Sequence, residues 1–238
     1  MNIFLAGATG VIGRRLVTLL RDAGHSVTGT TRSEERAVAL AALGAKGVVV
    51  DVYDPRALLR EVYASNPDVI VHQLTDLPDT LSPQERAVAL ERNARLRIEG
   101  TRNLMAAASM AGARRVVAQS IAFVYAPGEG ARLESDPLDG SAEMANTVQG
   151  VIELERQTMG VPGIDGVVLR YGRLYGPGTW FKTATGAAPL HVDASAQAAL
   201  LAVMQGAPGI YNIAEDDGAV SSEKAKRELG FDAGFRMA

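Results

Sequence analysis

Asn2-Ile3-Phe4-Leu5-Ala6-Gly7-Ala8-Thr9-Gly10-Val11-Ile12-Gly13-Arg14-Arg15-Leu16-Val17-Thr18-Leu19-Leu20 is the stretch that decides the fold. An apolar run of strand length comes first, then three spaced glycines, then apolar residues at helical spacing. This order sets a helix N-terminus against the end of a strand. Gly7 allows a tight turn, Gly10 lets backbone approach a phosphate, and Gly13 lets the helix pack closely on the strand. Free N–H groups and the positive end of the helix dipole complete an anion site. The stretch therefore predicts that Gly7, Gly10 and Gly13, with Val11 and Ile12 between them, bind a dinucleotide pyrophosphate. Thr9 either turns its hydroxyl to the pyrophosphate or caps the helix.

Outward from this turn, strand-like and helix-like stretches alternate. Strands are expected at residues 2–6, 26–30, 47–50, 69–72, 115–119 and 166–170, and Tyr211-Asn212-Ile213 reads as a late strand. Helices are expected at 10–23, 34–43, 55–64, 85–111, 142–159 and 194–204, with a last capped amphipathic helix over 221–229. Gly24, Gly44 and Gly112 mark helix ends. Val-rich strands alternating with helices predict an α/β fold, a Rossmann-type doubly wound parallel sheet covered on both faces. Residues 1–170 form the expected nucleotide-binding domain. Residues 171–238 form an abbreviated C-terminal substrate-binding region, partly packed back on it. Residues 126–140 and 176–189 read as loops.

The chain has 238 residues, 47% of them hydrophobic, enough for a sizeable core. A net charge of −3 argues against nucleic-acid or membrane-surface partners. There are no cysteines and three scattered histidines, so no metal site is expected. No apolar run approaches the ~20 residues that span a bilayer. The N-terminal strand begins at residue 2, which points to a cytoplasmic protein without a signal peptide.

The second strand ends Thr28-Gly29-Thr30-Thr31-Arg32-Ser33. The carboxylate that binds the ribose hydroxyls of NAD at this place is replaced by Arg32 flanked by hydroxyl residues. Arg32 can pair bidentately with a 2′-phosphate, and Thr31 and Ser33 can donate to it. NADP is therefore expected over NAD, with Arg14 or Arg36 as further cations. Asp51, followed by Val52, either reaches the adenine amino group or caps a turn. Gln73-Leu74-Thr75 follows the fourth strand at the crevice where such sheets bind ligands, and contacts a cofactor ribose unless it is a plain strand-to-loop passage.

Gly7-x-x-Gly10-x-x-Gly13 resembles the glycine motif of extended and atypical short-chain dehydrogenase/reductases, specifically the NAD-dependent epimerase/dehydratase family. Gly100-Thr101-Arg102-Asn103-Leu104 is similar to that family's "GTxNL". Gln119-Ser120 and Val124-Tyr125 resemble its fifth-strand end, and Leu169-Arg170-Tyr171-Gly172-Arg173-Leu174-Tyr175-Gly176-Pro177-Gly178 resembles its "R…YGPG" segment. His191-Val192-Asp193 resembles "HVDD", and Lys224–Phe231 resembles "KAxxELGF". The resemblance covers nearly the whole chain. It implies an oxidoreductase or epimerase that takes a small-molecule substrate, a sugar nucleotide or a small carbonyl or hydroxyl compound. It implies nicotinamide and substrate contacts at Ser120, Tyr171, Gly172, Arg173 and Leu174. It also implies a homodimer through the helices at 85–111 and 142–159.

The family's chemistry uses a tyrosine as acid/base and a lysine four residues on, which lowers the phenol pKa. Here the residues four after each tyrosine are Ala57, Pro67, Glu129, Tyr175, Thr179 and Glu215, and no lysine lies between Lys46 and Lys182. Aligning the helix at 142–159 puts Thr147 and Val151, or Ala145 and Gln149, where the pair belongs. Ile121 stands where the family carries a Ser or Thr, with Ser120 adjacent. Ser120, Tyr125 and Tyr171 are the candidate catalytic groups, and Tyr175 is a further nearby phenol. Arg170 and Arg173 either hold an anionic substrate or pair internally. Arg97 either reaches the cleft or forms a surface salt bridge. His72 reads as a core histidine and His191 as a helix cap. Only 68 residues follow Arg170, so the substrate lid looks short. Two other readings stand beside the enzyme: a non-catalytic NADP(H)-binding sensor or partner-binding protein, and a binder of another nucleotide.

Overall fold

The computed structural model describes residues 1–77 and 83–237; for Pro83, Gln84 and Arg86 only the backbone is described. Seven parallel strands form the main sheet. In chain order they are β1 (Asn2–Ala6), β2 (Ser26–Thr31), β3 (Lys46–Val49), β4 (Val69–His72), β5 (Arg115–Ile121) and β6 (Asp165–Tyr171), with β9 (Gly209–Ile213) at the edge. A two-stranded ribbon, β7 (Arg173–Tyr175) with β8 (Pro189–His191), stands beside it. The spatial order β3-β2-β1-β4-β5-β6-β9 runs outward from β1 to β3, then returns to place β4 against β1. Ile3 pairs with both Val27 and Val69 in this register. The reversal between β1 and β4 opens a crevice at the strands' carboxyl ends, where ligands bind in such sheets.

The alternation along β1 shows how both faces are covered. Ile3 and Leu5 join a core with α1 (Val11–Asp22), α2 (Glu34–Ala42) and α7 (Val192–Met204). Phe4 and Ala6 point oppositely, into a core with α3 (Pro55–Ser65) and α5 (Thr101–Ala111). On that second face α4 (Pro83–Arg95) and α6 (Ala145–Met159) also pack, and α8 (Glu223–Leu229) ends the fold. The C-terminal residues do not stand apart from the sheet: β9 pairs with β6, and α7 packs on α1.

Several expected boundaries shift for identifiable reasons. The long helix expected at 85–111 continues from α4 into α5 through one π turn at Leu96–Gly100, with helical backbone on both sides. Gly100 permits the close approach this requires, because a Cβ there would meet Leu96 Cδ1 at 2.9 Å and Val52 Cγ1 at 3.3 Å. The helix expected from 142 starts at Ala145. The expected cap of the last helix is also replaced. Ser222 Oγ donates to Ala214 O at 3.0 Å and accepts from Ala214 N at 2.9 Å, tying the helix start to the end of β9. The short pair β7–β8 was not visible in the sequence, since three-residue strands carry no periodicity.

Candidate cofactor and substrate cleft

Gly7 has φ +89°, and a Cβ there would lie 2.6 Å from the Gln73 carbonyl oxygen. At Gly13 a Cβ would overlap the Gly7 carbonyl oxygen. Both positions therefore demand glycine. Gly10 N donates to Gly7 O at 3.1 Å, and the first helical bond is Arg14 N to Gly10 O at 3.0 Å. The amides of Val11, Ile12 and Gly13 precede that bond, and no side chain caps them. They open onto a cleft of about 990 Å³ lined also by Thr9. Three free amides at a helix N-terminus suit a diphosphate.

At one end the cleft is bordered by Arg14, Arg32 and Arg36, all exposed, and among the described residues no carboxylate pairs with any of them. Thr31 Oγ1 accepts from Ser33 N at 3.3 Å, and Ser33 caps α2 by accepting from Arg36 N at 3.4 Å. Asp51 lines the same end, its Oδ1 accepting from Tyr53 N at 2.9 Å, so it closes a turn while the rest of its carboxylate faces the cleft. Val52 is held by Asn103, whose Nδ2 donates to the Val52 carbonyl at 2.9 Å.

In the middle lie Gln73, Leu74 and Thr75. Gln73 Nε2 donates to the Tyr171 hydroxyl at 3.3 Å, while its buried Oε1 has no partner. An orphaned buried acceptor in a cleft is a place for a ligand donor. Leu74 N donates to His72 Nδ1 at 3.2 Å, so Nε2 carries the ring proton toward Thr101 Oγ1 at 3.1 Å. Burial pushes the His72 pKa down to about 4, with Arg97 adding to the effect. His72 is a core histidine.

At the far end Ser120, Ile121, Tyr171, Gly172, Arg173 and Leu174 line the cleft. Ser120 Oγ donates to Glu155 Oε1 at 2.9 Å, which leaves its lone pairs for the cleft. Glu155 also binds Arg170, with Nε to Oε1 at 2.8 Å and Nη2 to Oε2 at 2.7 Å. Arg170 is therefore an internal ion-pair residue and does not hold substrate. Tyr125 is not among the residues that line the cleft. Its hydroxyl donates to Asn212 Oδ1 at 2.6 Å and accepts from Arg170 Nη1 at 2.7 Å. Tyr171 is buried with its phenol pKa pushed up by desolvation, so it is a neutral donor rather than a base. Tyr175 donates to Glu215 Oε1 at 2.7 Å, away from the lining. His191 caps α7 by accepting from Asp193 N at 3.2 Å.

Of the two alignments on α6, Thr147 and Val151 are buried on its inner face, and Ala145 and Gln149 are exposed. Neither inner residue borders the cleft. Arg97 does, and among the described residues it forms no salt bridge. Phe123, Trp180 and Phe181 also line the cleft and were missed in the sequence. The one available signal was an aromatic pair, Trp180-Phe181, inside a glycine-rich loop.

The sheet order, the glycine turn and the crevice together define a dinucleotide-binding α/β protein. Residues 3–189 match the model of the NAD dependent epimerase/dehydratase family, to which the chain belongs. It is 41% identical over 246 residues to a 3-diazoavenalumate denitrifying reductase from a Streptomyces species, covering 94% of this chain and 79% of that protein. Among solved structures it resembles UDP-glucose 4-epimerase of Thermotoga maritima with UDP-glucose, TM-score 0.79 at 18% identity over 99% of this chain and 94% of that one. It also resembles a dTDP-glucose 4,6-dehydratase of Streptomyces venezuelae with NAD bound, TM-score 0.78 at 20% identity over 99% and 93% of the two chains. No helix among the described residues is long and apolar enough to cross a membrane.

Proposed function

We propose that the chain is an NADP(H)-dependent reductase whose substrate requires no tyrosine–lysine acid. One continuous cleft carries this reading, running from the arginine-bordered end past the glycine turn to the ends of β5 and β6. The amides of Val11, Ile12 and Gly13 hold the diphosphate, and glycine at 7 and 13 lets the turn close tightly enough to present them. Arg32, with Thr31 and Ser33, binds the 2′-phosphate, and Asp51 and Val52 border the adenosine. The free Gln73 Oε1 accepts from a ribose hydroxyl or the carboxamide, beside Leu74 and Thr75. Gly172, Arg173 and Leu174 flank the nicotinamide, and Ser120 and Tyr171 orient the substrate as acceptor and donor.

When bound, the reduced nicotinamide supplies a hydride. Reducing a carbonyl also needs a proton for its oxygen, and neither alignment of α6, Thr147 with Val151 or Ala145 with Gln149, puts a tyrosine and a lysine where the family's pair is expected. The Streptomyces relative's name describes reductive removal of nitrogen from a diazo compound. With the diazo group as an aryl diazonium cation, the hydride pair forms the C–H bond, while the C–N bonding pair leaves with dinitrogen and the two charges cancel. No proton is taken up at the reacting carbon, so a site without the pair is suited to it.

Calorimetry with NADP and NAD, followed by NADPH oxidation assays on an aryl diazonium, a ketone and UDP-glucose, tests this. Nitrogen release stoichiometric with NADPH consumption supports it, and turnover of only the ketone or the sugar nucleotide refutes it. Tight NADP(H) binding without any turnover favours the alternative, a cofactor-responsive binding protein. The outer faces of α4 and α6 expose Val88, Leu90, Ile152 and Met159. They support two-fold pairing through these helices, which sedimentation velocity tests.

A further inference from the structure

Arg97 sits on the π turn at Leu96–Gly100 and is only 8% exposed. Among the described residues its guanidinium makes no hydrogen bond or ion pair, although it lines the cleft. Its nearest charged influence is Glu155, but both Glu155 oxygens are already bound by Arg170, and one also by Ser120. The His72 ring on its other side is neutral. The group Arg97, Arg170, Glu155 and His72 therefore carries one uncompensated positive charge at the cleft wall. A ligand anion that displaces water from this wall meets a cation that no protein carboxylate has claimed. Desolvation lowers Arg97 only to about 10, which leaves it a cation at neutral pH.

The location says which ligand brings the anion. The free amides of the glycine turn and the Arg14–Arg32–Arg36 border already serve the phosphates at the other end. Arg97 instead feels the charge of Glu155, which Ser120 at the end of β5 hydrogen-bonds, and Arg97, Ser120 and Ile121 line the same cleft. The same cleft is lined by the aromatic rings of Phe123, Trp180 and Phe181, with the Arg173 guanidinium stacked 4.5 Å over the Phe123 ring. Aromatic walls suit a planar conjugated body, and a buried guanidinium suits a carboxylate bidentately.

We propose that Arg97 binds the carboxylate of a planar, conjugated acid that is the substrate of this cleft. This rests on the reductase reading above and names the substrate class of the same site. Trp180 is the chain's single tryptophan and stands in the cleft wall, so its fluorescence reports occupancy.

The test uses the full chain saturated with NADP and titrated with trans-cinnamate, methyl cinnamate and UDP-glucose. The acid should bind roughly thirtyfold or more tightly than its ester. Arg97→Gln should erase that preference while leaving NADP affinity within about twofold, and Arg97→Lys should restore part of it. Equal binding of acid and ester, no binding of either, or binding of UDP-glucose alone overturns the assignment. So does an Arg97→Gln variant that loses NADP rather than the acid. A wild-type chain that binds no dinucleotide at all refutes the reductase reading itself, and cinnamate binding to that same chain then decides the Arg97 assignment separately.

Discussion

Glu155 on α6 grips Arg170 on β6 through two parallel bonds of 2.8 and 2.7 Å, with side chains only 6% and 4% exposed. The pair ties the helix expected to carry the chemistry to the strand that follows the cleft. Ser120 and Tyr125 are both absorbed into it. Removing one partner leaves an uncompensated buried charge. Glu155→Ala should cost about 3–5 kcal/mol in urea unfolding, and the double variant Glu155→Leu with Arg170→Met should recover much of that.

Tyr125→Phe distinguishes structure from chemistry. It deletes the hydroxyl that Arg170 and Asn212 share, and stability should fall by about 1–3 kcal/mol. The rate of NADPH oxidation should stay within about twofold in the same preparation, because Tyr125 does not line the cleft. A rate loss of a hundredfold with unchanged stability would return it to the catalytic list.

Arg32→Ala should weaken NADP binding by roughly tenfold or more and leave NAD nearly unchanged, since only the 2′-phosphate contact is lost. Calorimetry with both cofactors reads the ratio directly. Equal losses for the two would mean that Arg32 acts on the shared part of the molecule.

Gly13→Ala sets a methyl group against the Gly7 carbonyl at the base of the turn. The helix must move away, so dinucleotide binding should disappear and stability should drop by about 1–3 kcal/mol. Thermal shifts with and without NADP separate the two effects.

His72 gives a pH signature. Its folded-state pKa, about 4, lies below the ordinary histidine value of 6.5. The unfolded chain therefore takes up this proton first as pH falls. The neutral form's stability contribution is complete above pH 6.5, is lost between 6.5 and 4, and then levels off. The loss should reach about 3 kcal/mol. In the folded protein, NMR should show no titration of the His72 ring above about pH 5.

The glycine turn and the strand–helix alternation were legible in the chain because they depend on neighbours a few residues apart. Gly7 and Gly13 announce themselves, as no other residue fits a turn so tight. The family membership was legible too, from ordered short motifs. The pairing of Glu155 with Arg170 was not, since nothing local links positions 155 and 170. Nor was the π turn at Leu96–Gly100, a local widening of the expected helix that carries Arg97 at the cleft. A charge with no partner is a property of everything that surrounds it. Sequence spacing therefore specified where a dinucleotide phosphate binds, whereas packing between distant segments specified which phenols and guanidiniums remain free beside it.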